Sequence, residues 1–334
     1  MSRAQLTSTV EQNTGGAVAP FVAGKNFLAN GGFDIWQRGT SSVNPSANTL
    51  LADRWYMYFN AGAATFSQET SNVPTGYRYA MKIAQSSASA LQLLQQTIET
   101  SACLAFAGQN ITASALVATS TGTVPVTLDV QYSTSADAGI GGTYTSATSV
   151  ASGTNTASTT YSKAWNTVSI PSTAKSILFR MLANPVPAGT SFYITGIQLE
   201  IGSVATPFSR AGGTLQGELA LCQRYFTSIA SNSSAVYTYY GNGFFYGSTG
   251  AKLFFSLPVT MRTNPSLSLV NPTSMQLQYN NTNQGVVASG TGLDQSNGQT
   301  VGMFVNVSSG VSVGTACIMT SNAANTAIQL SAEL

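Results

Sequence analysis

The 334-residue chain is long enough for two domains that each bury a core. Only 7% of its residues are charged, against an ordinary share of about 25%. A net charge of +2 with no Lys/Arg run lacks the footprint of a nucleic-acid partner, and no apolar stretch is long enough for a membrane span.

Polarity is carried instead by Ser, Thr, Asn, Gln and 31 Gly. Such uncharged surfaces suit stacked β-sheets and subunit interfaces, where burying a charge is costly. Met1 to Lys25 lacks the apolar core of a secretion signal, so folding in a cytosol is expected. There, Cys103, Cys222 and Cys317, odd in number and set in apolar contexts, read as buried free thiols. With no His in the chain, a zinc site is not expected.

Residues 1–24 are polar and aperiodic, and read either as a frayed terminus or as an arm that orders on docking. At 26–38 (NFLANGGFDIWQR), Phe27 and Leu28 begin a predicted strand, Asn30-Gly31-Gly32 bends it, and alternation resumes from Phe33. Further strands are predicted at Asp53–Phe59, Arg78–Ala84, Leu91–Glu99, Gln109–Ala118, Val124–Tyr132, Trp165–Ile170, Ser176–Ala183 and Phe192–Glu200. Short strands separated by Gly/Ser/Asn/Thr turns argue for an antiparallel sandwich. Gly202 and Pro207 end the last strand, and Leu215 to Phe226 follows with helix-like apolar spacing.

Beyond this connector the run Ser233 to Phe255 is the most aromatic of the chain. Strands are predicted at Lys252–Phe255, Ser274–Tyr279, Val286–Ala288, Thr300–Val307, Thr315–Thr320 and Ala327–Glu333. The expected architecture is therefore all-β: an N-terminal jelly-roll β-sandwich (25–210), a short helical hinge (211–226) and a smaller C-terminal β-sandwich (227–334).

Several stretches resemble virion proteins of tailed bacteriophages, chiefly tail fibres and head or tail appendages. They are Asn26 to Trp36 (NFLANGGFDIW), Ala52 to Trp55 (ADRW), Phe192 to Gly202 (FYITGIQLEIG), Ala205 to Phe208 (ATPF), Glu218 to Tyr225 (ELALCQRY) and Pro258 to Ser266 (PVTMRTNPS). The opening also resembles jelly-roll carbohydrate-binding modules. The resemblance implies a homotrimeric virion protein on the particle surface, docked to a tail or capsid protein through residues 1–24 and attaching to a host surface glycan. A head fibre or capsid decoration protein is the alternative to a tail fibre. Modules of this kind often hold a structural calcium through an acidic pair after "FYI". Here Thr195-Gly196 stands in that place, leaving Asp34 and Glu200 as possible ligands and no other cofactor expected.

A sugar stacks its C–H faces on aromatic rings while Asn, Gln or Asp fix its hydroxyls. Trp36, Trp55, Tyr56, Tyr58 and Trp165 are candidates in the first domain, with core packing as the competing role. With the N-terminus as anchor, the distal tip is the C-terminal region. Its candidates are Tyr237, Tyr239, Tyr240, Phe244, Phe245 and Tyr246, and alternation sends Tyr239 and Tyr240 to opposite faces. Catalysis is not expected. There are 11 carboxylates, and nothing in their spacing brings a glycosidase pair, such as two of Asp34, Asp53, Asp129 and Glu200, together. An Arg–Asp bridge among Arg38, Asp53 and Arg54 is the expected role of those charges. A glycan-cleaving depolymerase is the remaining alternative.

Overall fold

The computed structural model describes residues 25–46, 48–140, 148–230, 238–294, 296–308 and 311–333, which form two compact units divided between Leu219 and Ala220. The expected arm and Tyr237 lie outside the described residues.

The first unit holds twelve strands. In chain order they are β1 (Ser41–Val43), β2 (Thr49–Leu50), β3 (Tyr56–Phe59), β4 (Ala63–Glu69), β5 (Ala80–Ser87) and β6 (Ala90–Ile98). Then come β7 (Asn110–Thr119), β8 (Val124–Ser133), β9 (Thr148–Ala157), β10 (Ser162–Ser169), β11 (Ser176–Val186) and β12 (Ser191–Ile201). They form two six-stranded antiparallel sheets, β1-β4-β5-β12-β7-β10 and β2-β3-β6-β11-β8-β9. From β5 to β8 and again from β10 to β12, each strand passes to the opposite sheet, which is the jelly-roll arrangement of a double-sheet sandwich.

Alternation explains the core. On β7, Ile111, Ala113, Ala115 and Val117 point between the sheets, while Thr112, Ser114 and Leu116 face outward. Trp55, fully buried, meets Phe179 edge-on at 6.0 Å and Phe33 at 5.6 Å. Each such buried side chain contributes roughly 1.5–3 kcal/mol through removal from water. β12 is buried along nearly its whole length on both faces, because residues 202–209 cross its outer side, with Thr206 and Ser209 donating to Glu200 and Gln198.

Two predicted strands are corrected. Residues 26–38 form turns, since Asn30 and Phe33 take left-handed φ of 58° and 54°. The strand predicted from Asp53 starts only at Tyr56, because Arg54 has a φ of 71°. Strands β4 and β9 arise where the polar pattern suggested none.

Helix α1 (Thr100–Cys103) is a single turn, and α2 (Leu215–Gln223) fills the predicted connector. The second unit begins within α2. Its strands are β13 (Phe226–Ala230), β14 (Tyr239–Phe245), β15 (Gly250–Ser256), β16 (Ser266–Val270), β17 (Met275–Tyr279), β18 (Thr282–Leu293), β19 (Thr300–Val307), β20 (Ala316–Ser321) and β21 (Ala327–Ser331). The expected small sandwich takes a specific form: a closed six-stranded barrel, β14-β15-β19-β18-β17-β20, with a separate three-stranded sheet β13-β21-β16. Closure removes all edges from the barrel strands. Phe245, Leu253, Leu277, Met303, Val305 and Met319 fill it, joined by Ile328 of the small sheet. No disulfide links Cys103, Cys222 and Cys317, and all three are buried, as expected.

Candidate functional site

An open groove of about 810 Å³ runs over the outer wall of the barrel. It follows from strand register. Asn242 on β14 pairs with Phe254 on β15 and with Ile318 on β20; Ile318 pairs with Gln278 on β17, and Gln278 with Asn283 on β18. Residues at one register position share a face, so these five form a single outward rung across five strands. One step along β14, Phe244 also points out, its ring 6.2 Å from Phe254 at an interplanar angle of 26°.

Phe244, Phe254 and Ile318 are each at least 40% exposed, an unusual outlay of apolar surface on a barrel whose interior is already full. Around them stand five amide side chains, Asn242, Gln278, Asn280, Asn281 and Asn283, which bond no protein group among the described residues. Asn280 and Asn281 form the two-residue turn joining β17 to β18, with φ of 45° and 59°, the left-handed pair such hairpins select. Among the described residues, no charged side chain lines the groove. Cys317 does, but burial pushes its thiol up to about 11, so it stays protonated and unreactive. Two apolar rings beside free amides are arranged to stack on a flat C–H face and to exchange hydrogen bonds with hydroxyls.

Of the predicted tip residues, Phe244 lines the groove. Tyr239 is 65% exposed and Tyr240 is 6% exposed, so alternation separates them as read from the sequence. The Tyr240 hydroxyl is spent on Thr326 inside the unit, and Phe245 packs against Tyr279 in the core. Tyr246 is exposed, with its ring laid over Gly250 and the Lys252 ammonium 5.5 Å from its centroid. Phe254 falls inside the aromatic run noted in the sequence, whereas the converging amides become neighbours only through barrel register.

In the first unit, Trp55 and Tyr56 are corrected as ligand candidates. Both are buried, and Trp55 donates its indole N–H to the Asn30 carbonyl at 2.9 Å. Trp36 is half-buried and donates to Phe33, whereas Trp165 stands 51% exposed on β10. The phage-type stretch at 26–36 is tied by hydrogen bonds to Asp53 and Glu218, and the end of β12 to residues 206–209. The Asn30 side chain accepts from the Ile35 N–H and donates to the Ile35 and Asp53 carbonyls. Glu218 accepts from the Asn30 and Gly212 backbone N–H groups. Gln198 and Glu200 hold Ser209 and Thr206. A Cβ on Gly31 would sit 2.0 Å from the Ile197 carbonyl oxygen, so only glycine permits that approach.

The four carboxylates weighed for acid–base work are each engaged elsewhere. Asp34 is held by Arg210 at 2.7 Å, Asp53 by Arg38 at 3.5 Å and by Gln37, Asp129 by Arg180, and Glu200 by Lys25 at 3.5 Å and by Thr206. Arg54, buried whole, donates to the Thr97 carbonyl. Among the described residues no three His, Cys, Asp or Glu side chains cluster as metal ligands, and Asp34 and Glu200 direct their oxygens to these partners.

No family model matches the chain, and no curated protein matches it. Among solved structures, a CBM4 structure is similar over 52% of this chain and 98% of its own, with 13% identity and a TM-score of 0.32. A CBM61 module in complex with β-1,4-galactotriose is similar over 53% of this chain and 99% of its own, at 15% identity and a TM-score of 0.34. The enzymatically active domain of bacteriophage CBA120 tailspike protein 4 is similar over 53% of this chain and 22% of its own, at 12% identity and a TM-score of 0.37.

Proposed function

We propose that the chain is a non-enzymatic surface protein of a tailed-phage virion, a tail fibre that attaches to host surface glycans through the barrel groove. The observation that carries the reading is the outward rung Phe254–Asn242–Ile318–Gln278–Asn283 with Phe244 beside it. Exposed rings flanked by unpaired amides and no charge suit neutral sugars. Paired carboxylates at Asp34, Asp53, Asp129 and Glu200 favour binding over hydrolysis. Phage assignment rests on the sequence stretches described above.

The test is adsorption of the intact protein to host cells and to a neutral glycan panel. Phe244→Ala and Phe254→Ala together should keep the melting temperature of the parent, because both rings are exposed. Each lost stacking contact is worth about 1–1.5 kcal/mol, so the double variant should bind roughly thirtyfold or more weakly. Parental adsorption by a folded double variant removes the groove as the receptor site.

A further inference from the structure

The outer face of the β12-β7-β10 sheet carries a different chemistry. Strand register sets Trp165, Ser114 and Gln198 on one outward rung and Lys163, Leu116 and Thr195 on the next. Tyr77 lies over this face. Its ring rests on Gly196, where a Cβ would come within 2.7 Å of the phenol oxygen, and leans on Phe208 at 5.4 Å. Gly196 has a φ of 62° and sits at a register shift of β12, so the strand itself makes the seat.

Two cavities flank Tyr77 and Phe208, of about 220 Å³ and 190 Å³. Arg78 and Arg210 wall the first, and Lys163 and Ser114 the second. This is a concentration of cations in a chain that has 13 Lys and Arg in all. Among the described residues Asp34 is the one carboxylate in the lining, and Arg210 already holds it with two hydrogen bonds. Arg78 is exposed and has no carboxylate partner among the described residues, its guanidinium lying 5.0 Å over Tyr79. The Lys163 ammonium donates to the Ala205 and Thr206 carbonyls, each at 3.3 Å, and has no carboxylate partner among the described residues. The Tyr77 hydroxyl bonds no protein group among the described residues, and burial lifts its pKa to about 12, so it remains a neutral donor. Trp165, 51% exposed, is one strand spacing from Ser114 at the rim of the second cavity.

We propose that this face of the sandwich is a second binding site, for a saccharide that carries an anionic group. Trp165 supplies the stacking surface, Arg78 and Lys163 receive the negative charge, and Tyr77 donates to a ring oxygen or hydroxyl. The proposal is independent of the barrel groove, whose described lining is uncharged.

Titration calorimetry of the full chain at low salt tests it, with methyl glucuronide, glucose 6-phosphate and methyl glucoside as probes. One or both anionic sugars should bind at least about tenfold more tightly than the neutral one, with the advantage shrinking as salt rises. Uronate and phosphate preference is read from the first two arms. Arg78→Ala and Trp165→Ala, both at exposed positions, should each weaken the anionic ligand about fivefold or more, while Phe244→Ala leaves it unchanged. The proposal is overturned if neither anionic sugar binds, if the neutral sugar binds equally well, or if both variants bind as the parent does.

Discussion

Asn30 and Asn242 are chemically identical side chains put to opposite uses. Asn30 is fully buried and makes three bonds, to the Ile35 N–H, the Ile35 carbonyl and the Asp53 carbonyl, while its own carbonyl receives Trp55. Asn30→Ala would remove all three bonds at once, taking the amide partner from the buried Ile35 N–H and a donor each from the Ile35 carbonyl, which keeps the Asp53 N–H, and the Asp53 carbonyl. Its native φ of 58° also disfavours alanine. The expected loss is about 3 kcal/mol or more of folding stability, read as a lower urea midpoint. Asn242→Ala, at an exposed site with no bond to lose, should move stability by less than about 0.5 kcal/mol and show its effect in glycan binding. Equal stability of the two variants would remove the Asn30 bonds from the account of this fold. Residue type alone does not separate the two roles. The separation lies in context: Asn30 precedes Gly-Gly in a turn, and Asn242 alternates with glycines on a strand.

At the scale of elements, the strands that the sequence revealed are those with one face in the core. On β7, β10 and β11 alternation survives in plain residues, and the predicted bounds lie within three residues of the observed ones. The segment 26–38 misled because its alternation belongs to turns held by Asn30, a set of side-chain bonds to distant residues that no local period encodes. Barrel closure was equally hidden, since it depends on which non-adjacent strands pair, as with β17 and β20. For the groove, Phe244 was visible as an aromatic on an alternating strand, whereas Gln278 and Asn283 gain meaning only beside Ile318.

Helix α2 was legible from its spacing, and its start has a local cause. The Thr214 hydroxyl accepts from the Gly217 N–H at 3.0 Å, capping the first turn. Glu218, in that turn, is 1% exposed, and burial pushes its carboxyl above the ordinary 4.5, with the Gly212 and Asn30 N–H groups pulling the other way. The folded chain therefore holds this proton more tightly than the unfolded chain. Its contribution to stability is complete below pH 4.5 and is lost as pH rises through the raised value. Glu218→Gln should flatten that part of the profile while keeping an oxygen for one N–H. Urea midpoints of parent and variant, compared from about pH 4 to pH 7, should diverge in slope; parallel curves would show that Glu218 is not the group responsible.

For the whole molecule the governing quantity is how little charge there is. A net charge of +2 on 334 residues offers weak mutual repulsion, and several cations are already paired within the fold. Sheet edges are handled locally in part: the Asn155 side chain bonds both the N–H and the carbonyl of Trp165 on edge strand β10. Exposed apolar side chains remain at Val43, Val204 and Leu215 among the described residues. A subunit interface would remove them from water, and threefold symmetry is what the resemblance to phage fibres implies. We therefore expect a homotrimer with α2 close to the threefold axis, where three copies of Leu215 would meet. Sedimentation equilibrium at micromolar concentration should give three times 34.6 kDa. Because the contact is apolar, raising the salt to about 1 M should leave it intact, where an interface of ion pairs would weaken. Leu215→Glu places like charges together at that axis and should shift the equilibrium towards the monomer without lowering strand content by circular dichroism. A parent protein that sediments as a monomer refutes the trimer, and a Leu215→Glu variant that still sediments as a trimer moves the axis away from α2.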